Sequence, residues 1–229
     1  MSLLPFTLRP VIKELHTPLV IREIRKMIEF DVLKNNWETF EKLCRRLSDD
    51  GVNALLETLG ERILVCPASP RESQHGAYAG GLVEHSLEVA KVMRDLAQVY
   101  GLSIPVNSTI KVGLLHDLGK IGDLHSDYFV EQTSDWHRDK LGQVYKFNED
   151  LNKMSVSHRT LYLLQHFGVI LTNDEWLAIQ LAQGSHFEEN RFYVGHESGL
   201  ALVLQQAKQR AVHRAVSYTH LRAHETVLD

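Results

Sequence analysis

The chain has 229 residues, 44% of them hydrophobic and 24% charged, a balance that suits a soluble globular protein with its own core and excludes a disordered chain. A formal net charge of −4 excludes the broad positive field with which proteins grip long nucleic acid, and leaves small anions to local sites. No run reaches the roughly 18 apolar residues of a membrane span, and Met1–Pro10 lacks a secretory pattern, so the cytoplasm is the expected compartment, with Cys44 and Cys66 as reduced thiols.

Residues 1–64 read as a helical extension. Thr17-Pro18 is an N-cap followed by a first-turn proline, and Ile21, Ile24, Ile28 and Val32 follow at helical spacing. A second helix is expected from Trp37 to Leu47 and a third from Val52 to Leu59, stopped by Gly60. Cys66–Gly81, rich in glycine and proline, is a loop. The helix that follows, Leu82–Tyr100, carries His85, Val89, Val92 and Leu96 on one stripe, which predicts a buried His85.

After a turn at Gly101–Asn107, a short apolar helix spans Ile110–Leu118, with His116-Asp117 in its last turn and Gly119 as its stop. At 1.5 Å per residue His85 lies roughly 22 Å before the turn and His116 roughly 15 Å after it, a mismatch that loop and side chains must absorb. From Lys120 to Lys153 the sequence is polar and weakly periodic, a long loop with short helical pieces. Ser157 caps a helix ending at Phe167-Gly168, Thr172-Asn173-Asp174-Glu175 opens another with a capping box, and a last helix spans Glu197–Arg214.

The fold expected is all-α: a helical bundle over residues 65–215 with the extension 1–64 packed on it. Residues 216–229 (VSYTHLRAHETVLD) read as translated sequencing-adapter DNA, on which reading the natural C-terminus is missing.

Thirteen histidines raise the prospect of metal or phosphate chemistry. Adjacent residues point about 100° apart around a helix, so His116 and Asp117 reach one ion only at a helix end or beside another ligand-bearing helix. His85 is that third ligand. Two imidazoles and a carboxylate suit Mn, Fe, Co, Ni or Zn without selecting among them.

The segments GGLVEHSLEVAKVM and GLLHDLGKIGD resemble the two signatures of the HD superfamily, whose members are mostly metal-dependent phosphohydrolases with an H…HD…D ligand set. The resemblance covers roughly Ala68 to Ala211. It implies an HD-domain bundle of the kind found in bacterial and phage hydrolases, and metal ligands at His85, His116 and Asp117, with Mg added to the candidate ions. It also implies hydrolysis of a phosphate ester in a nucleotide or related small metabolite. The family's fourth ligand, an Asp after Ala, falls on Lys208, which follows Leu204 by four and so faces inward. An ammonium does not ligate a cation, so a catalytically degenerate binding or regulatory module is the alternative. A 3′-to-5′ exoribonuclease is another, since related domains share the PAS…GGLVEHS entry. A homo-oligomer is compatible with all three.

Asp117 is expected to orient the attacking water as well as bind metal. Lys120 is the first choice for steadying phosphate, against the alternative of an exposed helix-end cation. His158 and Arg159 at a helix N-terminus come second. His75 and His186 are further candidates at the mouth of the site, His125 and His137 carry no firm role, and Trp136 and Tyr145 either stack a base or pin their loop to the core.

Overall fold

The computed structural model describes residues 18–184 and 187–225, with side chains for residues 30–184 and 187–213. Among the described residues four helices come first: α1 (Pro18–Arg45), α2 (Asp50–Val65), α3 (Gly81–Val99) and α4 (Val106–Leu115). A 3-10 turn, Leu118–Ile121, leads to strand β1 (Phe129–Glu131), helix α5 (Asp135–Leu141) and strand β2 (Tyr145–Phe147). Then come α6 (Val156–His166), α7 (Asn173–Leu181), a second 3-10 turn (Glu188–Tyr193) and α8 (Gly199–Glu225). No helix among the described residues is long and apolar enough to cross a membrane.

Among the described residues the bundle is all-α, as the periodicity implies, apart from one small antiparallel hairpin that pairs Phe129 with Phe147 and Glu131 with Tyr145. A long loop was expected there; each strand has three residues, too few for an alternating pattern to register. Three helix boundaries also differ. The expected break before Trp37 is absent because no proline or glycine interrupts Pro18–Arg45. Gly60 does not end α2, since the Trp37 ring packs over it and the helix continues to Val65. The cap of α6 is Ser155, whose Oγ accepts from the His158 amide at 3.3 Å, while Ser157 is buried inside the helix. The backbone of α8 runs on to Glu225, past the expected end at Arg214.

The capping box that opens α7 is present in full: Thr172 Oγ1 accepts from the Glu175 amide at 3.2 Å, and Glu175 Oε2 accepts from the Thr172 amide at 2.9 Å. Gly168 turns the chain after α6 with φ +72°. One hydrophobic core gathers Phe40, Leu55, Leu59, Met93, Leu115, Leu163, Ile179 and Leu204, so side chains from every one of these helices but α5 share it.

What positions the site is the seam between α3 and α4. A Cβ on Gly113 would lie 2.6 Å from Ala90 Cα, so only a glycine lets these helices touch backbone to backbone. From that contact His85 is five residues back along α3 and His116 three residues on along α4, about 7.5 Å and 4.5 Å at helical rise. The mismatch counted from the turn therefore shrinks to about 3 Å: the helices cross at Ala90 and Gly113, near the histidines.

Candidate metal centre

Three ligand-type side chains meet at the end of that seam. His85 and His116 are fully withdrawn from solvent with Asp117, at relative exposures of 6%, 0% and 1%. Their nearest ligand atoms all lie within 4.8 Å of one another. Asp117 Oδ2 stands 3.6 Å from His85 Nε2 and 3.5 Å from His116 Nε2. A tetrahedral ion with bonds of about 2.1 Å has ligand-to-ligand edges of roughly 3.4 Å, so the spacing suits one ion.

Protonation also suits it. Burial, the largest influence, holds His85 well below its ordinary value and lowers His116 too, so both rings are neutral near pH 7. His116 Nδ1 lies 3.0 Å from the Gly113 carbonyl oxygen, which can only accept; Nδ1 therefore carries the proton and Nε2 is bare. The Nε2 atoms of His85 and His116 are buried without a hydrogen-bond partner. Orphaned buried nitrogens aimed at a carboxylate are what a metal would satisfy, and by donor type, protonation and spacing the trio fits a divalent ion.

Two ammonium groups also lie against Asp117. Lys120 Nζ is 2.7 Å from Oδ2, and Lys208 Nζ is 2.9 Å from Oδ1. Burial alone would raise the Asp117 pKa, but Lys120 and Lys208 together hold it well below the usual carboxylate range. Burial lowers the Lys208 pKa, with Asp117 opposing. Lys208 thus points inward, as its spacing implied, and Lys120 is not an exposed helix-end cation: its side chain is 13% exposed. Both thiols are free and buried, and burial pushes each up to about 12.

The remaining expected site residues scatter. His75 tilts against His85, ring centroids 4.6 Å apart, with its Nδ1 3.4 Å from Ser69 Oγ. Burial lowers its pKa to about 4. With His85 it lines one end of a groove of about 1400 Å³ that runs along α3 and is walled by Leu43, Arg94, Leu102 and Ile104. His158 is exposed on α6, whereas Arg159 is buried, donating to the Asn152 carbonyl at 2.9 Å with its guanidinium 5.2 Å from the Tyr128 ring centroid. Those contacts turn it toward the loop before α6 rather than toward Asp117. His186 lies outside the described residues. His125 is exposed, His137 Nδ1 is 2.8 Å from Ser134 Oγ, and Trp136 is 59% exposed, while Tyr145 packs against the core.

Three residues that the sequence did not single out complete the centre. Gln183 Nε2 donates to Asp117 Oδ1 at 2.9 Å; its position four after buried Ile179 was the available signal. Thr160 Oγ1 accepts from the Gly119 amide at 2.8 Å and donates to the His116 carbonyl at 3.3 Å, so α6 fastens both ends of the turn that holds Asp117. Arg62 donates to the Ile121 and Asp123 carbonyls, each at 2.7 Å, and to Asp127 Oδ1 at 2.8 Å. These contacts tie α2 to the loop beyond the turn.

An all-α bundle with two inward histidines and an aspartate at the end of a helix seam defines a protein with a candidate mononuclear metal centre. Residues 82–166 match the family model of the HD domain, so this stretch of the chain is similar to a superfamily of the metal-dependent phosphohydrolase type. No curated protein and no solved structure matches the chain.

Proposed function

We propose that this protein is a metal-dependent hydrolase of a phosphate ester in a nucleotide or related small metabolite. The observation that carries the reading is the pair of buried, unpartnered imidazole nitrogens facing Asp117 within a matched HD domain. His85, His116 and Asp117 would hold the ion, which when bound lends Lewis acidity to a phosphoryl oxygen and lowers the pKa of water. Asp117 is fixed through Oδ1 by Gln183, leaving Oδ2 toward the two imidazoles. Lys120, its ammonium 2.7 Å from that oxygen, is the cation we assign to steadying a phosphate. The groove from His75 and His85 exceeds the ~300–1,000 Å³ of ordinary small-molecule sites, so a nucleotide-sized ester has room.

Phosphate release from a nucleotide panel with added Mn, Ni, Co or Mg tests this. Turnover that needs one of these ions and falls at least about a hundredfold in His116→Ala is the expected result; metal-independent turnover, or none with any ion, contradicts it. One contact favours a second reading. Lys208 bonded to Asp117 is what a degenerate, non-catalytic HD module would show, and activity that appears only in Lys208→Asp would select it.

A further inference from the structure

Asp117 has two oxygens with different company. Oδ2 faces His85 Nε2, His116 Nε2 and Lys120 Nζ, whereas Oδ1 is held by Lys208 Nζ and Gln183 Nε2, both at 2.9 Å. Lys208 comes from α8, and its side chain is 14% exposed, so the ammonium is largely cut off from screening water. Any divalent ion at Oδ2 would sit one carboxylate's width from that fixed positive charge. The trio brings a single negative charge, because both imidazoles are neutral, and Lys208 already claims half of the carboxylate.

We propose that Lys208 sets the metal affinity of this centre: it orients Asp117 through Oδ1 and at the same time, by its charge, weakens the hold of the trio on a divalent ion. This inference rests on the metal-centre reading above. Two consequences follow from Coulomb's law and from the contacts. The metal-free centre already has its buried carboxylate compensated, since Asp117 has an ammonium on each oxygen and the local charge is then positive, so the fold does not depend on an ion. The ion, in turn, binds weakly and exchanges readily. Lys120 and Lys208 then divide the work. Lys120 is on the metal-facing oxygen and must leave it when an ion arrives, which frees its ammonium for an anionic group; Lys208 is on the far oxygen and can stay.

The test is Mn²⁺ binding to the full chain by isothermal titration calorimetry, with melting temperature read in chelator and in saturating Mn²⁺. Wild type is compared with Lys208→Gln, which keeps a hydrogen-bond donor, Lys208→Met, which keeps the length alone, and Lys208→Arg, which keeps the charge. We expect the two uncharged variants to bind Mn²⁺ at least about tenfold more tightly than wild type, and Lys208→Arg to remain within about threefold of it, for charges only a few ångströms apart. In chelator the uncharged variants should melt below wild type, and Mn²⁺ should raise their melting temperature by more. Equal Mn²⁺ affinity in wild type and both uncharged variants overturns the role of Lys208 while leaving the metal centre standing. No binding by any of the four proteins overturns both.

Discussion

Around Asp117 the polar groups of five segments answer one another across the protein: α3 supplies His85, α4 leads to His116, α6 supplies Thr160, the chain after α7 supplies Gln183, and α8 supplies Lys208. From Gly122 to Asn148 the pattern is reversed. There Asp123 Oδ1 accepts from the His125 and Ser126 amides, Asn148 closes onto Tyr128 and Asp127, and α5 buries none of its residues. This outer lobe is fastened by Arg62, by the Pro70 carbonyl, which accepts from Val144 and Tyr145, by the Glu72 amide, which donates to the Gly142 carbonyl, and by Phe129 and Tyr145, which pack into and against the core. The centre is positioned by long-range contacts and is intolerant of displacement, whereas the lobe is built from local ones and can be altered piecemeal.

That contrast can be broken most severely at Gly119, where a Cβ would lie 2.3 Å from the Val156 carbonyl oxygen. Gly119→Val should destabilise the protein by roughly 3 kcal/mol or more, measured by urea unfolding, as α6 is forced off the turn. A small effect would show that the interlock is looser than the contacts imply. Arg62→Ala probes the join between the two regions. It strips donors from the Ile121 and Asp123 carbonyls and an ion pair from Asp127, and should cost about 1–3 kcal/mol. Hydrogen exchange should rise in residues 121–148 before it rises in α3 or α4; uniform loosening would mean that the lobe and centre open as one unit. Trp136→Ala, at a side chain 59% exposed, should shift stability by no more than about 0.5 kcal/mol. A larger loss would show that this lobe has a packing role that its exposure hides.

The same contrast explains what could be read from the residues alone. His85 was placed inward by the spacing of Val89 and Val92, and Lys208 by Leu204 and Ala211, because helical period is written locally. The α7 capping box was legible for the same reason. The hairpin was not, since strands of three residues carry no period, and the cap falls on Ser155 rather than Ser157 because Ser155 has the extended backbone and a hydroxyl that accepts from the His158 amide. Gln183, Thr160 and Arg62 act through partners 66, 41 and 59 or more residues away, and no local pattern names such a partner. Arg159 sat at the expected helix start, but its guanidinium found the Asn152 carbonyl and the Tyr128 ring instead of an anion site.

Gly113 does two jobs with one peptide. Its missing side chain admits Ala90, and its carbonyl accepts a hydrogen bond from His116 Nδ1. Helix spacing and imidazole tautomer are thereby coupled: if α3 drew away and α4 rewound at this residue, the same movement would release the proton that keeps Nε2 bare. Chemical readiness of the histidine is in that sense a property of how closely two helices stand, and a substitution that widens the seam would alter basicity without touching any ligand.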